Sequence, residues 1–134
     1  MDKGVLVSFN EILTQEMIKA GAELISFLDK SHFIVRVAFW MQDDEARIWR
    51  LVIATPELRT DGPKKVYKNL LNKINKMQNP KIDLSQIAVI DNFSNIIKTL
   101  KIAIKTGDGI SGIQFTGNNI NGFQFPNSYI YRVT

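Results

Sequence analysis

The chain of 134 residues contains no cysteine and only one histidine. The lack of cysteine excludes disulfides, thiolate nucleophiles, cysteine-based zinc sites and iron–sulfur ligation. A single histidine leaves no pair of imidazoles for a metal site. No run reaches the roughly 18 consecutive apolar residues that span a bilayer. The apolar stretch near the N-terminus is too short for a secretory signal peptide and lacks a small-residue cleavage site. We therefore expect a cytoplasmic protein with no membrane partner.

The composition is that of a folded domain with a modest basic excess. Hydrophobic residues make up 45% of the chain, which is too high for a disordered protein. There is no repeat, low-complexity tract or linker, so we expect one domain over 1–134. The 17 basic and 13 acidic residues give a net charge of +4. Such an excess favours binding to nucleic acid or to anionic surfaces only where the positive charges are clustered.

Hydrophobic periodicity predicts alternating helices and strands. Apolar residues recur at helical spacing over 11–29, 63–77 and 92–105. Segments rich in β-branched and aromatic residues fall at 33–41, 47–54, 87–90, 111–116 and 122–133. The order α-β-β-α-β-α-β-β favours an α+β fold over a doubly wound parallel sheet. We expect a mostly antiparallel sheet with its helices packed on one face.

The predicted hairpin at 33–54 holds both tryptophans and the most notable side-chain cluster. We predict a register in which Trp40 lies opposite Ile48, although a slip of one residue would exchange the two faces. In this register Arg36, Trp40 and Arg50 share one face. Guanidinium groups beside an indole can bind phosphate and stack on bases, as in single-strand nucleic-acid binders. Alternatively, a helix or a partner subunit covers this face, and Arg50 stacks on Trp40.

A second group of charged residues lies in the predicted loop between the hairpin and the middle helix. It consists of Glu57, Arg59, Asp61 and Lys64. Metal-dependent nucleases place carboxylates and a lysine near such strand ends, so this loop is the best candidate for an enzymatic site. Arg59 occupies the position where such a nuclease site would need a lysine, and no further acidic partner is identifiable. The alternative is that these charges face water and that Asp61 helps to cap the following helix.

Other motifs have structural interpretations. Residues 107–112 match the G-x-G-x-x-G spacing but follow a helix and precede a strand, the reverse of a dinucleotide-binding turn. The acidic residues 43–45 are typical of a solvated turn rather than a calcium site. We interpret His32 as a surface or capping residue, and we expect Gly21 at a close packing contact. No catalytic residue, cofactor or metal ion is predicted.

The hairpin and the loop after it carry a family resemblance. The matching segments are Ala38-Phe39-Trp40, Trp49-Arg50-Leu51-Val52-Ile53-Ala54-Thr55-Pro56, Asp61-Gly62-Pro63 and Tyr67. They resemble a group of small bacterial proteins with no assigned activity, over about residues 13–75. The resemblance implies a bacterial origin and carries no functional residue across.

Three functions are compatible with these patterns. The absence of a coherent catalytic group, together with an aromatic and arginine-bearing face, favours a non-enzymatic domain that binds a protein partner or self-associates. A nucleic-acid-binding protein would use the same face with the lysines of the middle helix. A divalent-metal-dependent nuclease or hydrolase would use Glu57 and Asp61.

Overall fold

A five-stranded sheet with helices packed against it forms the centre of the structure, which is an α+β fold as predicted. The computed structural model describes residues 12–134, so the N-terminal stretch considered as a signal peptide lies outside the described residues. The helices are α1 (Gln15–Lys30), α2 (Glu57–Asp61), α3 (Pro63–Lys76) and α4 (Asn95–Ala103). The strands are β1 (Val37–Asp43), β2 (Ile48–Ala54), β3 (Ile87–Ile90), β4 (Ile113–Phe115), β5 (Asn119–Ile120), β6 (Phe123–Gln124) and β7 (Ser128–Val133). A 3₁₀ turn, Leu84–Gln86, leads into β3.

The sheet is mixed but mostly antiparallel. Its strand order is β3-β2-β1-β7-β4, and only the β2–β3 pair is parallel. The strand predicted over 122–133 is divided into β6 and β7, with Pro126 between them. Proline has no backbone N–H to donate to a neighbouring strand, so pairing stops there. Strands β5 and β6 form a separate hairpin.

Helices cover both faces of the sheet, which differs from the prediction that they pack on one. On the first face, α1 and α3 pack over Trp40, Leu51 and Tyr131. On the second face, α4 packs over Phe39 and Val52. Successive residues of a strand point to opposite faces, and in β1 both sets are apolar. Each face therefore needs a covering layer.

The hairpin register predicted from sequence is wrong. Trp40 lies opposite Leu51, not Ile48, and Arg50 lies opposite Met41. The cause is the turn between β1 and β2. The carboxylate of Asp43 accepts hydrogen bonds from the backbone N–H groups of residues 45 and 46, at 3.1 and 3.2 Å. Residue 47 then takes a left-handed conformation, with φ 59°. This four-residue turn shifts the pairing by an odd number of residues, and an odd shift exchanges the faces.

Helix α1 packs tightly against the sheet at Gly21, where a close packing contact was expected. A Cβ atom at this position would lie 2.5 Å from the hydroxyl of Tyr131 and 2.8 Å from the indole nitrogen of Trp40. Those distances are shorter than real carbon contacts, so only glycine fits without displacing the two rings. The prediction for Gly21 is confirmed.

Candidate functional site

Trp40, the centre of the predicted binding face, is fully buried. Its indole nitrogen donates a 2.9 Å hydrogen bond to the hydroxyl of Tyr131. That hydroxyl donates in turn to the backbone carbonyl of Ile18 in α1. Burial raises the pKa of Tyr131 above its ordinary value, so the hydroxyl keeps its proton at neutral pH. The indole of Trp40 is therefore part of the contact between α1 and the sheet.

Arg50 lies on the other face of the hairpin and stabilises its turn. Its guanidinium is 3.3 Å from a carboxylate oxygen of Asp43, and it also donates to the backbone carbonyl of Ser85. The N–H of Ala46, followed by the Arg50 guanidinium, lowers the pKa of Asp43. Stacking of Arg50 on Trp40, the predicted alternative, is excluded because the two side chains leave opposite faces of the sheet.

Arg36 is exposed and precedes β1. Its backbone N–H donates to the carbonyl of Ala54, and its own carbonyl accepts a hydrogen bond from the hydroxyl of Thr134. The prediction that Arg36, Trp40 and Arg50 share one face is wrong, because Trp40 is buried and the corrected register separates it from Arg50.

The second predicted group is divided between two roles. The carboxylate of Glu57 accepts a 2.8 Å hydrogen bond from the backbone N–H of Ile34. Asp61 and Lys64 are exposed on either side of Gly62. Gly62, with φ 86°, occupies the capping position of α3, so the predicted cap by Asp61 is wrong. Within residues 12–134, no three acidic or histidine side chains are grouped so that they could hold a metal ion.

Arg59 takes part in a contact that sequence reasoning did not identify. Its guanidinium lies 3.0 Å from a carboxylate oxygen of Asp91 and 5.0 Å from the centre of the Phe93 ring. The other carboxylate oxygen of Asp91 accepts the backbone N–H of Phe93 at 2.8 Å. Phe93 is 54% exposed. An arginine is thus held over an aromatic ring at the surface by a carboxylate that also fixes the backbone of that ring.

We call this region the α2 surface and define it as Ile34, Glu57, Arg59, Asp91 and Phe93. Ile34 is 43% exposed. Helix α2 contacts both residues, because Glu57 accepts a hydrogen bond from the backbone N–H of Ile34 and Arg59 lies over the ring of Phe93. The surface therefore combines two exposed apolar side chains with the charged pair of Arg59 and Asp91.

The parallel pairing of β2 and β3 brings the α2 surface together. Carboxyl ends of parallel strands lie at the same sheet edge, so the residues after Ala54 and after Ile90 become neighbours. The N–H of Phe93, followed by the Arg59 guanidinium, lowers the pKa of Asp91. The carboxylate therefore stays ionised at neutral pH and continues to orient Arg59. A sequence signal for Asp91 exists, since it directly follows a predicted strand, but the parallel pairing was not predicted.

Helix α3 carries a strong positive charge. It contains five lysines and no acidic residue. Lys73 donates to the backbone carbonyl of Ser31, which ties the inner side of α3 to the end of α1. The exposed lysines are Lys64, Lys65, Lys68 and Lys76.

No family model matches this chain, and neither the curated proteins nor the solved structures searched contain a match. Among residues 12–134, no helix is both long enough and apolar enough to cross a membrane.

Proposed function

We propose that this protein is a non-enzymatic domain that binds another protein through the α2 surface, with self-association as the simplest form. The exposed Phe93 ring beneath the fixed Arg59 guanidinium is the observation that supports this proposal. Aromatic residues and arginine are enriched at the centres of protein interfaces and contribute most of the binding energy there.

The geometry lowers the cost of association. An arginine side chain usually loses conformational freedom on binding. This loss costs about 0.5–1.5 kcal/mol for each immobilised side chain. Asp91 already holds the Arg59 guanidinium by two nitrogen–oxygen contacts, at 3.1 and 3.0 Å. The apolar surface of Phe93 and Ile34 would leave water on contact, which contributes about 25 cal/mol for each Å² buried.

We test the proposal by replacing residue 93. Sedimentation velocity over increasing concentration should show self-association of the wild-type protein, weakened about tenfold or more in Phe93→Ala, since interface aromatics cost about 2 kcal/mol when truncated. The matched control is Ile102→Ala, because Ile102 is 62% exposed on α4, outside the α2 surface. Its association should equal that of the wild type.

A photo-crosslinking amino acid at position 93 extends the test to other partners. In the producing cells it should give discrete adducts, and a mass of twice the chain would identify a second copy as the partner. The same crosslinker at position 102 should give none. A protein that stays monomeric at every concentration, with equal crosslinking at 93 and 102, would contradict the proposal.

Nucleic-acid binding is a second candidate function, and the charge of α3 is the observation that favours it. Four exposed lysines on one helix that itself contains no acidic residue form a basic stripe that can follow a phosphate backbone. A gel-shift titration against single- and double-stranded DNA and RNA should show binding at about 50 mM salt that is mostly lost at about 200 mM.

Two double variants distinguish specific binding through α3 from a general effect of the net positive charge. Lys64→Gln with Lys68→Gln removes two positive charges from α3, and Lys98→Gln with Lys101→Gln removes two from α4. The α3 pair should weaken binding and reduce its salt dependence, whereas the α4 pair should have a smaller effect. Equal effects, or no shift at the lower salt concentration, would remove this candidate.

A further inference from the structure

A cleft lies at the end of the sheet opposite the α2 surface, beside the start of β2. Its volume is about 490 Å³, within the range of small-molecule sites, which is roughly 300–1,000 Å³. Trp49 and Tyr129 contribute aromatic rings to the lining, and both are half-buried. Ile12 and Leu13, which precede α1, also line the cleft.

The position of the cleft follows from strand register and the length of α1. Trp49 pairs with Gln42, and Tyr129 pairs with Trp40 and Gln114, so these side chains leave the same face of the sheet. Helix α1 covers Trp40 at Gly21. The helix begins at Gln15, capped by Thr14, whose hydroxyl accepts the N–H of residue 17. The sheet face therefore extends past the helix, and the cleft occupies that space.

Side-chain amides dominate the polar part of the lining. Gln15, Gln42, Gln114 and Asn127 all contribute, and none of the described residues that line the cleft is charged. The Asn127 amide nitrogen donates to the Gln42 side-chain oxygen at 3.3 Å, and the Asn127 oxygen accepts the backbone N–H of Gly117 at 3.2 Å. These bonds fix the orientation of both amides. Each amide still has a donor hydrogen and an acceptor lone pair to offer.

We propose that this cleft binds a neutral carbohydrate of about disaccharide size. A sugar hydroxyl both donates and accepts hydrogen bonds, so it matches amides that offer both functions at one place. The carbon-bound hydrogens of a sugar ring form an apolar face that packs on an aromatic ring. An anionic ligand is disfavoured because the described residues of the lining include no cation.

A proline-rich peptide is the competing ligand, since aromatic grooves also bind such segments. Its backbone presents mainly carbonyl acceptors, because proline lacks the N–H group. The acceptor oxygens of the four amides would then lose their water without replacement, which costs free energy. The balanced donors and acceptors of the cleft therefore favour the carbohydrate. This site is independent of the α2 surface, so either proposal can fail alone.

The two tryptophans provide an internal control for the experiment. We would titrate the full ¹⁵N-labelled chain with maltose, cellobiose and chitobiose and follow the indole N–H resonances. The Trp49 resonance should move in a saturable manner, with a dissociation constant on the order of 1 mM or tighter. The Trp40 resonance should stay in place, because its indole is buried and bonded to Tyr131.

A variant pair tests the role of the fixed amides. Gln42→Met keeps the side-chain length but removes the amide, and should weaken sugar affinity about tenfold, the effect of one or two lost hydrogen bonds. Gln124→Met, on the exposed strand β6, should leave affinity unchanged. No movement of the Trp49 resonance with any of the three sugars overturns the proposal. Movement with a proline-rich peptide alone also overturns it.

Discussion

At the scale of single residues, His32 shows how the backbone conformation of one residue ends a helix. Its φ is 63°, in the left-handed region that residues other than glycine rarely occupy. It follows Ser31, the C-cap of α1. The N–H of Phe33 bonds to the carbonyl of Leu28, and the N–H of His32 bonds to that of Asp29. These two bonds form a Schellman motif, in which glycine usually takes the position that His32 occupies.

We expect His32→Gly to stabilise the protein. Relief of the left-handed conformation recovers about 1–2 kcal/mol. The greater freedom of glycine in the unfolded chain offsets about 0.4–1 kcal/mol of that gain. The free energy of unfolding in urea should therefore rise by about 0.5–1 kcal/mol. Ser31→Gly is the control, because its φ of −95° needs no glycine, and it should destabilise. A loss of stability in His32→Gly would show that the imidazole makes a contact outweighing this strain.

At the scale of elements, sequence periodicity predicted helix and strand bounds best where residues that start or end an element coincide with the pattern of buried residues. The helix predicted over 63–77 is observed as Pro63–Lys76, and the strand predicted over 87–90 is observed unchanged. Pro63 fixes the first turn of that helix, and its buried face repeats at Val66, Leu70 and Ile74. Local chemistry and burial therefore mark the same boundaries.

The hairpin register could not be derived in the same way. Phe39 and Trp40 are neighbours that point to opposite faces, and both are fully buried. A hydrophobic pattern selects a register only when one face is polar. Here the turn decides it, through the carboxylate of Asp43 and the left-handed Arg47. The candidate face of Arg36, Trp40 and Arg50 depended on that register.

The α2 surface depended on a long-range pairing that periodicity does not reveal. Helix α4 begins at Asn95, not at the predicted residue 92, so Phe93 lies in the turn before the helix rather than on its buried face. Arg59 reaches Phe93 only because β3 lies parallel to β2. Sequence analysis singled out two residues of this surface, Glu57 and Arg59, but it assigned them to a possible metal site.

At the scale of the whole molecule, Arg132 connects distant parts of the chain. It lies in β7 and is almost fully buried. Its guanidinium makes two bonds to the carboxylate of Asp29 at the end of α1, at 3.0 and 2.7 Å. It also donates to the backbone carbonyls of Val35 and Gly109. One side chain thus joins the last strand, the first described helix and the loop before β4.

Loss of this arginine should destabilise the fold far more than loss of an exposed one. Arg132→Met leaves the carbonyl of Val35 and the Asp29 carboxylate without their partner, so we expect about 2–3 kcal/mol lower stability in urea unfolding. Arg59→Ala is the comparison, because the Arg59 side chain is 66% exposed and its solvent-screened pair with Asp91 should contribute little to stability. Similar losses in the two variants would refute the structural role of Arg132.

The central position of β7 has a consequence for how the chain folds during synthesis. This strand lies between β1 and β4, although it is made about 90 residues after β1. Until it emerges from the ribosome, one edge of β1 has no partner and the indole of Trp40 has no acceptor. The apolar β1–β2 hairpin must therefore wait, with that edge unpaired, until the chain between β2 and β7 has been made. We expect the sheet to close late and in a single step, with chaperone contact concentrated on nascent chains from which β7 has not yet emerged.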